Sequence, residues 1–450
     1  MLDLKIINGT LVIPGQGRVR GAVGCKDGKI VAVDAEEKLG AAARTVDASG
    51  KYVIPGVIDP HVHLGIFTGD FGYEAEHETR AALAGGITTI GMFMGGDQSY
   101  LGVMPGLIET AEAKLSTDLF VHLSMFTPQQ LEEIPQYIEE FGVTSFKFYM
   151  CGVKGVFPNV GDDYILDGLK RLKALGGHLT GCVHCEDQTM VDEAFAKLAA
   201  EKPEGDLCAW AEAGPACAEE DAVVRACRLA AEAEARLYIV HMSSELGVKA
   251  AKANRPPTLF VETTSPYLSL TKNDPSGLLA KMLPPIKDEA DREALWEAVK
   301  DGTIDSIGTD NVSLNKEIKG AEKGMLEAMP GYPVLQTHLP VLLHEGVHRR
   351  GVALERIVEL TSKNPAQIFG VYPRKGTIAV GSDADLVVVD LEKEQVVDQQ
   401  KIYSFADFSL YEGRTLKGWP VMTIKGGVVA VDNNEILVEP GVGSYLRRVK

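Results

Sequence analysis

Apolar and polar residues alternate at both ends of the chain. At the N-terminal end, Lys5 to Ile7, Thr10 to Ile13, Ala22 to Lys26 and Lys29 to Val33 each read as a short strand with one buried face. Asn8-Gly9 and Asp27-Gly28 predict hairpins, because a two-residue turn needs residues that tolerate positive φ. The same texture returns at Asp385 to Asp390, Val421 to Lys425 and Val428 to Val431, with Lys425-Gly426-Gly427 as a turn. Two terminal β segments around a long middle predict one small domain, a β-sandwich built from residues 1–55 and 375–450.

The middle, residues 56–374, changes rhythm. Lys51-Tyr52-Val53-Ile54-Pro55-Gly56-Val57 is an apolar run broken by a Pro-Gly turn, and Ile58 to His63 continues it as a buried strand. Strand-like runs follow at Gly86 to Met94, Asp118 to Ser124, Val143 to Tyr149, His178 to His184, Arg236 to His241, Thr258 to Thr263 and Ile304 to Asp310. Helical stretches separate most of them: Tyr73 to Ala84, Pro128 to Phe141, Asp163 to Leu175, Ala218 to Ala235 and Asp288 to Lys300. Repeated strand-then-helix units predict an α/β fold, a (β/α)8 TIM barrel. Further helices are expected at His338 to Arg349 and Leu354 to Ser362. An open doubly wound sheet fits less well, since no Gly-rich dinucleotide fingerprint follows the first strand.

Charge and composition narrow the partners. A chain of 450 residues with net charge −18 repels phosphate, so no nucleic-acid partner is expected. No apolar run is long enough to span a bilayer, and Met1 to Ile7 alternates like a strand rather than a signal peptide. Seven widely spread cysteines fit a reducing cytoplasm. Cys182 and Cys185 form a Cys-x-x-Cys, but side chains three apart on a strand face opposite ways, so neither redox nor zinc-knuckle use is expected.

In a barrel, reactive side chains sit at the C-terminal ends of strands. Those ends carry His61 and His63 on strand one, Lys147 on strand four, His184 on strand five, His241 on strand six and Asp310 on strand eight. His61 and His63 are two apart, share a face and can reach one ion together. Neutral imidazole suits zinc, with a bond of roughly 2.0 Å. One such residue alone is more often packed or solvated; six at five strand ends point to a metal centre.

With these residues in place the chain resembles the amidohydrolase superfamily, and within it the cyclic amidases: hydantoinase and dihydropyrimidinase, with allantoinase and dihydroorotase as relatives. The resemblance runs through Val53-Ile54-Pro55-Gly56-Val57-Ile58-Asp59-Pro60-His61-Val62-His63 at the front. At the back it runs through Lys363-Asn364-Pro365-Ala366, Lys375-Gly376-Thr377-Ile378 and Gly381-Ser382-Asp383-Ala384-Asp385-Leu386. It implies two divalent ions, zinc by expectation. His61, His63 and Asp310 would hold one, His184 and His241 the other, and Lys147 would bridge them as a carbamate. Burial lowers a lysine pKa, and a neutral amine can add carbon dioxide to become an anion that offsets the metals' charge. The implied reaction opens the amide bond of a cyclic ureide or imide by attack of a hydroxide held between the ions. Asp310 would act as general base and then general acid. A dimer or tetramer is expected from the resemblance alone.

Some positions depart from the family. Dihydroorotases place Arg where Gly65 stands here, which disfavours an anionic substrate. Many hydantoinases place Tyr where Gly152 stands, and His where Asn311 stands. Gly155-Val156-Phe157-Pro158 is similar to an allantoinase loop, so allantoinase is an alternative. The other alternative is a non-catalytic interaction protein of the dihydropyrimidinase-like kind, in which metal ligands are lost; this chain keeps all six. The expected substrate pocket includes Gly65, Phe67, Phe93, Gly152, Phe157 and Asn311, with Lys154 as a solvated lysine at its edge.

Overall fold

A computed structural model gives the fold of residues 1–153 and 155–448; Lys154 lies outside the described residues. At its centre is a curled, all-parallel sheet. Its strands are β1 (Val57–His63), β2 (Ile87–Met94), β3 (Asp118–Ser124), β4 (Ser145–Tyr149), β5 (Thr180–His184), β6 (Arg236–Ile239), β7 (Leu259–Thr264), β8 (Ser306–Gly308) and β9 (Asn311–Val312). The order is β8-β7-β6-β5-β4-β3-β2-β1-β9. The two edge strands are consecutive in sequence. Ser306 pairs with Glu262 of β7, and five residues later Asn311 pairs with Val62 of β1.

Alternation sorts the side chains. Phe146 and Phe148 join the main apolar cluster outside the sheet, where Phe148 packs against Gly168 of helix Asp162–Leu175. Lys147, between them, faces inward. Below the inward-facing polar residues, Phe93, Phe120, Cys182 and Tyr238 gather around Phe369 in a separate cluster. The Phe369 ring lies 4.6 Å from that of His122 and 4.9 Å from that of Tyr238.

Two further helices, Met104–Lys114 and Gln188–Glu201, lie outside the sequence expectation although each carries a helical apolar stripe, Met104, Leu107, Ile108 and Ala111 in the first and Val191, Phe195 and Leu198 in the second. The first buries only Met104 and Ala111, the second only Leu198. None of the helices among the described residues is long and apolar enough to cross a membrane.

The terminal segments form two sheets. One has four strands in the order Lys29–Asp34, Ala22–Lys26, Leu2–Ile7, Ala42–Asp47. The other has seven, and pairs Leu386–Val396 of the C-terminal segment with Tyr52–Pro55 of the N-terminal one. Both sheets bury side chains in one shared cluster, including Leu4, Ile6, Val23, Leu11, Val53, Leu386 and Ile424.

Asp27-Gly28 and Gly426-Gly427 close two-residue hairpins at positive φ, as the pattern predicts. Asn8-Gly9 does not. Leu2–Ile7 and Thr10–Ile13 lie in different sheets, so this dipeptide is the corner where the chain changes sheet. Asn8 still takes φ 61°, and a Cβ on Gly9 would sit 2.8 Å from Val53 Cγ2. Close approach of a neighbouring strand, rather than a hairpin, accounts for this glycine.

A buried ion cluster ties the terminal sheets to the curled sheet. Lys375 Nζ bonds Asp118, the first residue of β3, and Asp385, and lies 2.8 Å from Asp383. Lys425 Nζ adds contacts to Asp118 at 3.0 Å and Asp385 at 3.4 Å. Burial alone would lower the Lys375 pKa, but Asp385 and Asp118 outweigh it and raise it. Burial would raise Asp385, but Lys375 and Lys425 outweigh it and lower it; Asp383 is lowered in the same way.

Removing one partner of such a pair leaves an uncompensated buried charge. Lys375→Met is therefore expected to cost about 3–5 kcal/mol of stability in urea melts at neutral pH; an unchanged midpoint would contradict it. The sign with pH follows from the shifts. The aspartates' contribution is present above their unfolded pKa, about 3.9, and fades as pH falls through the depressed folded values. The lysine's is present below its unfolded pKa, about 10.4, and fades as pH rises through the raised folded value. Urea midpoints of the wild type should be flat between those limits for this cluster, and the difference from Lys375→Met should shrink in acid.

Candidate metal centre

His61 and His63 project from the end of β1 onto Asp310, which stands between β8 and β9. His61 Nε2 lies 3.1 Å and His63 Nε2 3.3 Å from the same carboxylate oxygen of Asp310. The three ligand atoms fall within 4.8 Å of one another and all three residues are buried. Asp310 holds φ 53° and His241 φ 41°, conformations that branched or bulky side chains seldom take. Such strain persists only where the surroundings impose it, and it clusters at functional sites. Here Thr309 imposes it: its N–H and hydroxyl donate to Asp59 at 3.1 and 2.6 Å, and the hydroxyl also reaches the His61 carbonyl at 3.1 Å.

Across the cavity, His184 Nδ1 lies 2.9 Å from His241 Nε2. The other nitrogen of His184 is 3.0 Å from Glu186 Oε2. Two imidazole nitrogens that face each other need a shared proton or a shared cation between them. Lys147 completes the group. It is buried, with Nζ 4.7 Å from the Phe93 ring and 5.0 Å from the Tyr149 ring. The flanking Phe146 and Phe148, between which the sequence places the lysine, point instead into the helix layer. Phe93 is its neighbour from another strand of the sheet, and Tyr149 because residues two apart on one strand share a face.

Burial sets the protonation of the group. It lowers Lys147 to about 8, with Cys182 and Asp310 pulling weakly the other way. It holds His61 and His241 well below the usual imidazole range. Burial would raise Asp310, but His61 and His63 outweigh it and keep its carboxyl below the usual range. Neutral imidazoles around one carboxylate are the ligand form for a divalent cation. His63 Nδ1 is also buried without a hydrogen-bond partner. The donor set therefore fits a metal ion.

Four neighbours went unassigned in the sequence. Glu262, near the end of β7, accepts from His61 Nδ1 at 2.9 Å and so turns Nε2 toward the cavity. Asp59 accepts the His61 backbone N–H at 3.1 Å, and burial pushes its carboxyl up to about 8. Glu186 holds His184, and Tyr149 lines the cavity. Glu262 was findable by the rule that located the histidines, since it too lies near a strand end.

The cavity has a volume of about 60 Å³, is open to solvent, and its wall includes His61, His63, Lys147, His184, His241 and Asp310. Phe67 and Phe157 line it as well. Phe93 packs on His61 at 4.4 Å between ring centroids. The other three expected pocket residues are placed elsewhere. Gly65, at φ +78°, donates its N–H to Glu74 at 2.7 Å and faces an adjoining cavity. Gly152 donates its N–H to Gln188 at 2.8 Å, and a Cβ there would meet the Phe157 carbonyl oxygen at 2.7 Å. Asn311 is fixed inside the protein, donating to Ser313 Oγ at 2.9 Å and accepting the Val334 N–H at 2.8 Å.

Comparison with known proteins agrees over the whole length. Residues 279–430 match the amidohydrolase family. The chain is 32% identical to L-hydantoinase of Paenarthrobacter aurescens, covering 100% of this chain and 98% of that protein. It is 35% identical to D-hydantoinase of Geobacillus stearothermophilus, covering 94% and 92%. A solved D-hydantoinase superposes with TM-score 0.93 at 32% identity, over 100% of this chain and 99% of that one. A dihydropyrimidinase from Brevibacillus agri NCHU1002 superposes with TM-score 0.91 at 29% identity, with the same coverage.

The Glu262 contact generates a test. Burial pushes the Glu262 carboxyl well up, so its contact to His61 is tested as a hydrogen bond. Glu262→Gln keeps the volume but exchanges that carboxyl for an amide, and should weaken zinc retention about 10–100-fold in chelator competition. Unchanged retention would mean that Glu262 is a packing residue only.

Proposed function

Because the chain belongs to the amidohydrolase family, with hydantoinases among its full-length relatives, we propose that it is a metal-dependent hydrolase that opens the amide bond of a cyclic ureide or imide of the hydantoin or dihydropyrimidine kind. The observation that carries this is the convergence of His61, His63 and Asp310 on one point, facing His184, His241 and Lys147 across a single cavity. The same reading takes the curled sheet as a closed (β/α)8 barrel, residues 56–374. It takes the terminal segments, 1–55 and 375–450, as a β-sandwich domain. The step from β8 to β9 across the two edges, and the cluster shared by the terminal sheets, support these assignments.

In this reading His61, His63 and Asp310 hold one divalent ion and His184 and His241 the other, zinc being favoured by the imidazole-rich donor set. Lys147 would supply an anionic ligand to the pair as a carbamate, which its lowered pKa permits, since a neutral amine is the form that adds carbon dioxide. When bound, the ions supply Lewis acidity, which acidifies water and polarises the ring carbonyl. The chain does the rest. Asp310 accepts a proton from the attacking water and returns it to the amide nitrogen as the C–N bond breaks. Ile66, Phe67, Val153, Val156, Phe157 and Leu283 surround the ring with carbon and exclude bulk water.

That wall selects a neutral substrate. Among the described residues Lys147 is the one lysine or arginine lining the cavity, and it is committed to the metals in this reading. Among the described residues the carboxylate of dihydroorotate would find no partner, at a cost of several kcal/mol. Allantoin, a neutral ureide, meets no such barrier. A reducing cytoplasm is supported by seven cysteines that are all free, and a homo-oligomer, dimer or tetramer, is part of the reading by family resemblance.

The deciding experiment is a hydrolysis screen of zinc-loaded protein on dihydrouracil, 5-substituted hydantoins, allantoin, dihydroorotate and simple cyclic imides. A hydantoin or dihydropyrimidine should be opened with kcat/KM at least tenfold above dihydroorotate, about what one unpaired polar group is worth. Failure to open any ring would reject the proposal, and a preference for dihydroorotate would reject the neutral substrate. On the preferred ring, Asp310→Asn should lower kcat by about 10²–10⁴, the usual range for a lost acid–base group. Turnover near that of the wild type would remove Asp310 from that role.

A further inference from the structure

Once the six proposed metal-holding residues are set aside, one polar side chain among the described residues remains in the cavity wall: Tyr149. Everything else contributed by side chains there is carbon, apart from the thioether of Met282. A cyclic ureide or imide, however, carries carbonyl oxygens and ring N–H groups, which cost free energy if buried unpaired. Sites of this kind combine an apolar wall with a few placed polar groups that fix orientation.

Tyr149 is placed for that task. It lies two residues after Lys147 on β4, so the two side chains share the inward face. Its ring is 5.0 Å from Lys147 Nζ and 5.9 Å from the His184 ring. It is held on its other side by Phe157 at 5.2 Å and Phe126 at 5.6 Å. Its hydroxyl faces the side chain of Ser124, whose buried Oγ has no completed hydrogen bond. The Ser124 carbonyl is already taken by the Tyr100 hydroxyl at 2.7 Å. A phenol both donates and accepts. If Ser124 donates to the Tyr149 oxygen, the phenolic hydrogen is left for the cavity.

We propose that the Tyr149 hydroxyl is a catalytic donor, hydrogen-bonding the carbonyl oxygen of the ring where negative charge develops during attack, with Ser124 as the residue that positions it. This rests on the cyclic-amide reading above. A preorganised donor of this kind, lost singly, costs about 10²–10³ in kcat where it has been removed from hydrolases.

The test uses zinc-loaded full-length protein and the ring that the wild type opens best. Tyr149→Phe keeps the aromatic stack and should lower kcat at least tenfold, with zinc content and thermal midpoint unchanged. The loss should fall on kcat more than on KM, because the bond strengthens as charge develops. Ser124→Ala should give a smaller loss of the same kind, and Ser124→Thr, which restores a hydroxyl, should recover most of it. A Tyr149→Phe variant with wild-type kcat would overturn the inference while leaving the proposed function standing. A fall in zinc content matching the fall in activity would also overturn it, by making Tyr149 a support for the metal residues. If wild-type protein opens no ring in the screen, both readings fall together.

Discussion

Two residues, Thr309 and Asp310, join the strand that pairs with β7 to the strand that pairs with β1. The chain therefore passes from one edge of the curled sheet to the other only if it turns sharply there. The turn is fixed by Asp59, a buried acid on β1, which accepts both the N–H and the hydroxyl of Thr309 and also the His61 N–H. One carboxyl group thus sets the seam of the sheet and the direction of two side chains. Asp310 is left at φ 53° with its carboxylate aimed at His61 and His63. Fold and site share this joint, so strain at Asp310 is held by pairing on both sides of it.

The electrostatics follow from burial at that joint. Water is kept from His61, His241 and Lys147, so each of these is driven toward its neutral form. Asp310 alone is held as an anion, because His61 and His63 stabilise its charge more than burial opposes it. Nitrogen donors gathered around one fixed carboxylate form a donor set that fits a divalent cation. The second carboxyl layer, Glu262 behind His61 and Glu186 behind His184, points one nitrogen of each ring into the cavity or toward its partner ring.

Much of this was legible in the chain because the relevant signals are local. A strand end is marked by an apolar run followed by a polar residue, and five such ends carried the six residues that the structure gathers in one cavity. What could not be read depends on partners distant in sequence. Asn8-Gly9 has hairpin chemistry, but the strand it must accommodate is Tyr52–Pro55, more than forty residues away. Asn311 stands beside a reactive residue, yet its amide is spent on Ser313 and Val334. Phe146 and Phe148 are adjacent to Lys147 in sequence and on the opposite face in space.

The cavity wall shows the same dependence on distant pairs, and two glycines explain its shape. A Cβ on Gly95 would lie 2.0 Å from the Phe157 ring, and a Cβ on Gly152 would lie 2.7 Å from the Phe157 carbonyl. Any side chain at either position would push Phe157 away. With both absent, the loop closes on itself through paired hydrogen bonds between Val153 and Phe157, each 2.9 Å. Phe157 then packs with Phe126 and Tyr149 in a cluster of three mutually contacting rings. The missing side chain at Gly152 is thus not a gap in the substrate site: its space is occupied by the backbone that brings Phe157 in. That exchange replaces whatever polar contact a side chain at 152 could have made with carbon surface, and it leaves Tyr149, pressed between Phe157 and the metal-facing histidines, as the hydroxyl that a bound ring would meet.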